Sequence, residues 1–134
     1  VRPLVAVSAD ERPIKRVLIA YSGSMESAKT MKRLVQLGLW REATMQIVTF
    51  QTDAEVGAQL LADAASYFRA HGLQPATECI NAPPQEHLLG YAAQWGADMI
   101  VMGNSAKNLL VRRIFGETAL SVMRNANVPL FLAQ

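Results

Sequence analysis

The chain has 134 residues, 51% hydrophobic and 18% charged, which fits one compact soluble domain with a real core. A formal net charge of +2, with no apolar run near the roughly 20 residues that cross a bilayer, gives no reason to expect nucleic acid or membrane as partner. The single Cys79 excludes an internal disulfide framework and suits a reducing cytosol.

Apolar runs alternate with helical patterns along the chain. It opens on Val1-Arg2-Pro3-Leu4-Val5-Ala6-Val7, which reads like Asn127-Val128-Pro129-Leu130-Phe131-Leu132-Ala133 with Pro-Leu in register, and a polar stretch from Ser8 to Pro13 follows. No charged-then-apolar leader with a cleavage site stands at the start, so secretion is not expected. The missing initiator Met is what a fragment would show. Val17-Leu18-Ile19-Ala20-Tyr21 is short and β-branched and meets Ser22-Gly23-Ser24, a buried strand entering a helix capped by Ser22 or Ser24. That helix should run to about Trp40, with Ala28, Met31 and Val35 on one face.

Ile47-Val48-Thr49-Phe50 makes the second strand. Asp53 caps a helix presenting Leu61, Ala64, Ala65 and Phe68, which stops at Gly72 in a left-handed conformation. The third strand covers Ala76 to Ile80. After the break Asn81-Ala82-Pro83-Pro84, a helix starts at Pro84 or Gln85, carries Leu88, Leu89, Ala92 and Trp95, and ends at Gly96. Met99 to Met102 is the fourth strand. Glu117 to Ala126 forms the last helix and Pro129-Leu130-Phe131-Leu132 the last strand.

Strands separated by helices of this length imply right-handed crossovers and an open, doubly wound α/β fold with helices on both faces. Ligands bind such sheets outside the carboxyl ends of the strands, where the strand order reverses. Two loops qualify: Ser22-Gly23-Ser24, and MGNSAKNLLVRRIFGET from Met102 to Thr118. The latter has the layout of a phosphate-holding loop, with Gly103, then Lys107, Arg112 and Arg113, then Gly116 opening a helix.

With both loops in view the sequence resembles a universal stress protein domain from Lys15 to Ala133. Members read like a hydrophobic strand ending in Asp-Gly-Ser, later Met-Gly followed by Gly-x-x-Gly, nine residues, Gly and Ser or Thr, and a Pro-Val-rich strand. The counterparts are Tyr21-Ser22-Gly23-Ser24, Met102-Gly103-Asn104-Ser105-Ala106, the nine residues 107–115, Gly116-Glu117 and Val128-Pro129-Leu130. The resemblance implies a five-stranded parallel sheet in the order 3-2-1-4-5. In ATP-binding members the matching positions embrace adenine, ribose and phosphates; carried over, they are Ser22, Phe50, Gly103, Ala106, Gly116 and Glu117. Their neighbours Gly23, Ser24, Met102, Asn104, Lys107 and Thr118 complete the candidate site.

Three residues depart from the pattern, with unequal weight. Ala106 in place of Gly costs about 1 kcal/mol if the backbone there is left-handed and nothing otherwise. Ser22 replaces a carboxylate with a hydroxyl. Glu117 matters most: at 4 Å from a phosphate, an effective dielectric near 20 makes the repulsion about 4 kcal/mol per charge pair before screening. Its benefit to its own helix N-terminus is only about 0.3–1 kcal/mol. A bare triphosphate is therefore disfavoured unless Mg²⁺, or Lys107 and Arg112, stand between the charges.

A second pattern overlaps the first loop. Ser22-Gly23-Ser24-Met25-Glu26-Ser27 is similar to the Ser-Gly-Gly-x-Asp-Ser of ATP pyrophosphatases, but lacks the second Gly and the Asp. Cys79 and His87, eight apart across a Pro-Pro break, have no zinc spacing, and Cys79 reads as a small buried hydrophobe. His71 suits a helix C-terminus. No catalytic or metal set emerges.

The expectation is a cytoplasmic, non-catalytic stress-response domain with a degraded ATP or AMP site. Alternatives are an ATP switch with slow hydrolysis, a scaffold or dimerisation domain, and an adenylating enzyme. Since a universal stress domain ends on a Pro-Leu strand, residues 1–13 are expected to be the closing strand and linker of a preceding domain, with 14–134 the domain itself. The resemblance implies a homodimer through these edge strands, Leu130–Ala133 and residues 1–7, or a pseudo-dimer within a tandem chain.

Overall fold

In β2 (Arg16–Ala20), Val17 and Ile19 join one core while Leu18 joins another, so the strand is buried on both faces. The computed structural model, which describes residues 3–6, 13–102 and 130–133, builds the fold from that alternation. Met45 and Ile47 of β3 (Thr44–Phe50) and Met99 and Val101 of β5 (Met99–Val101) share the first face with Val17 and Ile19. Val48 and Ile100 share the second with Leu18. Near-continuous apolar strands of this kind are what a parallel sheet covered on both sides requires.

Helices α1 (Met25–Leu37) and α2 (Ala54–Ala70) cover the first face, through Met31, Leu34 and Val35 and through Leu61, Ala64 and Phe68. Helix α3 (Pro84–Trp95) covers the second through Leu88 and Ala92. The helix ends follow local chemistry. Asp53 accepts from the N–H groups of Glu55 and Val56 at the start of α2, and Gly72 follows its end at φ +82. Arg41 adds a cation there, its Nη2 donating to the His71 carbonyl at 2.7 Å, while His71 Nδ1 donates to the Tyr67 carbonyl at 2.9 Å. Gly96, at φ +83, ends α3 and returns its N–H to the carbonyl of Ala92.

Strand β4 (Ala76–Ile80) pairs with β3, and β6 (Leu130–Ala133) with β5, giving β4-β3-β2-β5-β6 with every neighbour parallel. This is the expected 3-2-1-4-5 order. The sheet has a sixth strand, β1 (Pro3–Ala6), which pairs antiparallel with β6 in cis.

Two side-chain clamps fix the strands around the reversal of order between β2 and β5. The Asp98 carboxylate accepts from the N–H groups of Lys15 and Arg16 at 3.0 and 2.9 Å, and the Asp98 N–H returns to the Arg16 carbonyl. Arg16 lies 4.1 Å over the Trp95 ring and donates from Nε to the Trp95 carbonyl. Further out, the Tyr91 hydroxyl donates to Glu78 at 2.6 Å and accepts from Gln46, tying α3 to β3 and β4. Burial first, then the Glu78 carboxylate, pushes that phenol up to about 12.

Two expectations need correction. Helix α1 ends at Leu37 rather than about Trp40, because Gly38 takes φ +63. Trp40 packs half-buried against the α1/α2 core from the loop beyond. Cys79 is exposed rather than buried, since β4 is an edge strand whose residues from Ala76 to Cys79 are all exposed. The predicted last helix, 117–126, lies outside the described residues. Among those residues no helix is long and apolar enough to cross a membrane.

Candidate functional site

Strand β2 runs out at Ala20, and the Tyr21 N–H still reaches the Val48 carbonyl at 2.9 Å before the chain turns across the sheet crest. Gly23 makes the turn at φ +83, a conformation that strains any side chain, and a Cβ there would meet Leu60 of α2 at 2.7 Å. Ser24 then caps α1, its Oγ accepting from the Ser27 N–H at 3.1 Å. Of the two serines offered as caps, Ser24 takes the role.

Ser22 contributes to the same knot. Its Oγ lies 3.0 Å from Ser24 Oγ and 3.3 Å from Ser27 Oγ, and the latter two are 3.1 Å apart. The N–H groups of Ser22 and Ser24 donate to Ser27 Oγ and Ser22 Oγ respectively, and Ser27 Oγ donates to the Ser24 carbonyl. Ser27 is buried, Ser24 half-buried and Ser22 exposed. The result is an uncharged cradle of hydroxyls at the positive end of a 13-residue helix. Its partners are hydroxyls, a carbonyl and amides. Among the described residues these serines bond to no imidazole or carboxylate.

On the α3 side of the crest the strand ends are apolar. Ala20, Phe50 and Ile80, the last residues of β2, β3 and β4, pack half-buried against a cluster that includes buried Met102, just beyond β5. The crest therefore carries the serine turn after β2 and, in one apolar cluster, Phe50 and Ile80 at the ends of β3 and β4 with buried Met102 beyond β5, the order reversal lying between β2 and β5. Apolar residues with a few polar groups nearby are the usual ingredients of a small-molecule site.

Of the predicted residues, Ser22, Gly23, Ser24, Phe50 and Met102 come to this one crest. Gly103, Asn104, Ala106, Lys107, Gly116, Glu117 and Thr118 lie outside the described residues. Sequence reasoning passed over Ser27, although a Ser at N-cap plus three is placed to meet the cap. It also passed over Ile80 as a member of the apolar cluster, and over two exposed apolar residues on the rim, Met25 at 69% and Val56 at 45% exposure, in the first turns of α1 and α2. Thr49, beside Phe50, is 1% exposed, and among the described residues its Oγ1 has no hydrogen-bond partner. Nothing in the described structure explains it. Among the described residues no cluster of His, Cys, Asp and Glu could hold a metal.

Residues 51–134 match the Universal stress protein family. A universal stress protein of Methanocaldococcus jannaschii is 26% identical over 98 residues, covering 73% of this chain and 57% of that protein, so the chain spans little more than half the length of this relative. A universal stress protein structure from Archaeoglobus fulgidus superposes with a TM-score of 0.71 at 21% identity, over 98% of this chain and 49% of that one. A universal stress protein in complex with cAMP superposes at 0.69 and 21% identity, over 90% of this chain and 97% of that one. A further Archaeoglobus fulgidus member, in complex with dAMP, gives 0.61 at 18%, over 91% and 98%. At these identities the structural likeness is one of fold. The family match takes in well over half of the sequence, and the chain belongs to the universal stress protein family.

Proposed function

We propose that this chain is a non-catalytic, cytoplasmic stress-response domain that binds an adenine nucleoside monophosphate at the carboxyl ends of β2, β3 and β5, and excludes free triphosphate. The observation that carries the reading is the serine turn after β2 and the apolar strand ends Phe50 and Met102 at the same end of the sheet, beside the order reversal. The apolar residues suit a purine, and the α1 N-terminus with its hydroxyls suits ribose or a small anion. The cAMP and dAMP complexes of two structural relatives support the choice of a monophosphate. Gly103, Ala106, Lys107, Gly116 and Glu117 complete the site in this reading, with Glu117 opposing a γ-phosphate unless Mg²⁺ intervenes. Crystals soaked at high AMP should show nucleotide between Ser22 and Phe50; an empty crest would leave the domain a scaffold.

We further propose that residues 1–13 are the closing strand and linker of a preceding domain and 14–134 the domain proper, within a tandem parent. The antiparallel β1–β6 pair and the 49% coverage of the longer archaeal chain support this. The same reading includes a homodimer of this chain through the edge strands Leu130–Ala133 and residues 1–7, and a pseudo-dimer of two such domains in the tandem parent.

A further inference from the structure

The end of the sheet opposite the serine turn carries a cavity of about 530 Å³, lined by Ile14 and Lys15 ahead of β2 and by residues 38–43 between α1 and β3. Ile14 and Trp40 pack half-buried against the α1/α2 core and Leu39 is 61% exposed, which gives the cavity an apolar wall and an apolar lip. Arg41, also of the lining, ties the cavity to the outer surface of α2, since its Nη2 donates to the His71 carbonyl at 2.7 Å. The His71 ring lies 4.5 Å from the Tyr67 ring, and Lys32 Nζ of α1 stands 5.7 Å over that same ring. Lys29, one turn back on α1, is exposed beside Lys32. Lys15, Arg41, His71, Tyr67 and Lys32 thus form one continuous strip, and all but Tyr67 are exposed. Among the described residues Lys15, Lys32 and Arg41 make no ion pair. Arg16 and Asp98 balance each other at the strand starts. The positive charges of Lys15, Lys29, Lys32 and Arg41 are then opposed by Glu42 on the cavity wall and by the carboxyl ends of α1 and α2, roughly half a negative charge each.

We propose that this strip docks an acidic peptide segment of a partner protein, with one apolar side chain of the segment in the cavity and its carboxylates on Lys15, Arg41 and Lys32. The surplus of cations supplies the charge complementarity, and the cavity supplies the anchor that fixes register. Spacing sets the length of the segment. Lys32 and Gly38 are about 9 Å apart along α1 at 1.5 Å per residue, and an extended chain advances about 3.3 Å per residue, so about five or six residues cover strip and cavity together. Nucleic acid is served less well, because Tyr67 is flanked by Lys32 and His71 and Trp40 packs against the core, which leaves no open ring for a base. A bilayer is flat, whereas the apolar wall here is concave. The strip lies at the starts of β2 and β3, so the proposal is independent of any nucleotide at their far ends.

The test titrates the full chain at low salt with a blocked hexapeptide, Asp-Glu-Leu-Asp-Glu-Asp, followed by amide NMR and calorimetry. Shifts should fall on Lys15, Lys32, His71 and residues 39–42, and binding should weaken as salt rises. Lys15→Glu/Lys32→Glu should weaken it at least about tenfold, and Ser in place of Leu in the peptide at least about fivefold. A peptide with Lys at every acidic position should not bind. Should the double variant unfold, Leu39→Ser, at a solvent-exposed position, replaces it and should weaken binding in the same direction. A folded Lys15→Glu/Lys32→Glu chain that binds as the parent does would overturn the proposal. So would shifts confined to the crest around Ser22 and Phe50, or no shift with the peptide at millimolar concentration. Tighter binding of a single-stranded DNA oligomer, or of vesicles containing phosphatidylserine, would assign the strip to nucleic acid or membrane and overturn the peptide reading. None of these outcomes touches the nucleotide reading, which AMP tests separately.

Discussion

On the reading proposed above, Glu117 weighs more on ligand choice than the other two departures from the family pattern, because charge acts at range and backbone preference acts locally. Repulsion of about 4 kcal/mol per charge pair exceeds the roughly 1 kcal/mol at stake in Ala106. Glu117→Ser should therefore tighten ATP binding by about tenfold or more, and Ala106→Gly should change it by less than about fivefold, read by titration calorimetry. The opposite ranking would mean that loop geometry, and not charge, limits the site. Thr49 offers a separate check within the described core. A buried hydroxyl without a partner costs about 1–3 kcal/mol relative to an apolar group of the same shape. Thr49→Val should raise the denaturation midpoint, and a fall in stability of about 1 kcal/mol or more would show that the hydroxyl has a partner.

Helix α2 packs on β4 with Gly57 close against Cys79. A Cβ on Gly57 would lie 2.4 Å from Cys79 Sγ and 3.4 and 3.5 Å from the Cβ atoms of Cys79 and Gln51, so the sulfur is the atom that must shift for a side chain to fit. Gly57→Ala should thus lose about 1–3 kcal/mol by overpacking despite its better helix propensity. In a Cys79→Ala background the same substitution should stabilise by up to about 1 kcal/mol, and equal effects in both backgrounds, measured by urea denaturation, would contradict the contact. Such contacts are not legible in a sequence. Element type is legible wherever a run of apolar residues meets a strong stop: Asp53 and Gly72 bracket α2, and Pro84 and Gly96 bracket α3. The end of α1 is harder to read because Leu39 and Trp40 prolong the apolar pattern past a glycine that in fact turns left-handed. Cys79 misleads for a related reason, since β4 is exposed by its place at the sheet edge and not by its composition.

At the scale of the whole molecule, the strand order does the positioning. It sets β2 beside β5, and the Asp98 and Arg16 clamps hold the starts of those strands so that their far ends converge on one crest. The serine turn and Phe50 are legible from the strand-loop-helix pattern. The gathering of Phe50, Ile80 and Met102 into one apolar cluster is a property of topology, which brings residues distant in the sequence together. On the reading proposed above, this crest takes a nucleoside monophosphate and refuses free triphosphate. The decisive measurement is titration calorimetry of the chain with AMP and with ATP, each with and without Mg²⁺. The prediction is that AMP binds at least about tenfold more tightly than metal-free ATP, that Mg²⁺ narrows the gap, and that no ADP accumulates. Metal-free ATP binding as tightly as AMP, or no heat from either nucleotide, would contradict it.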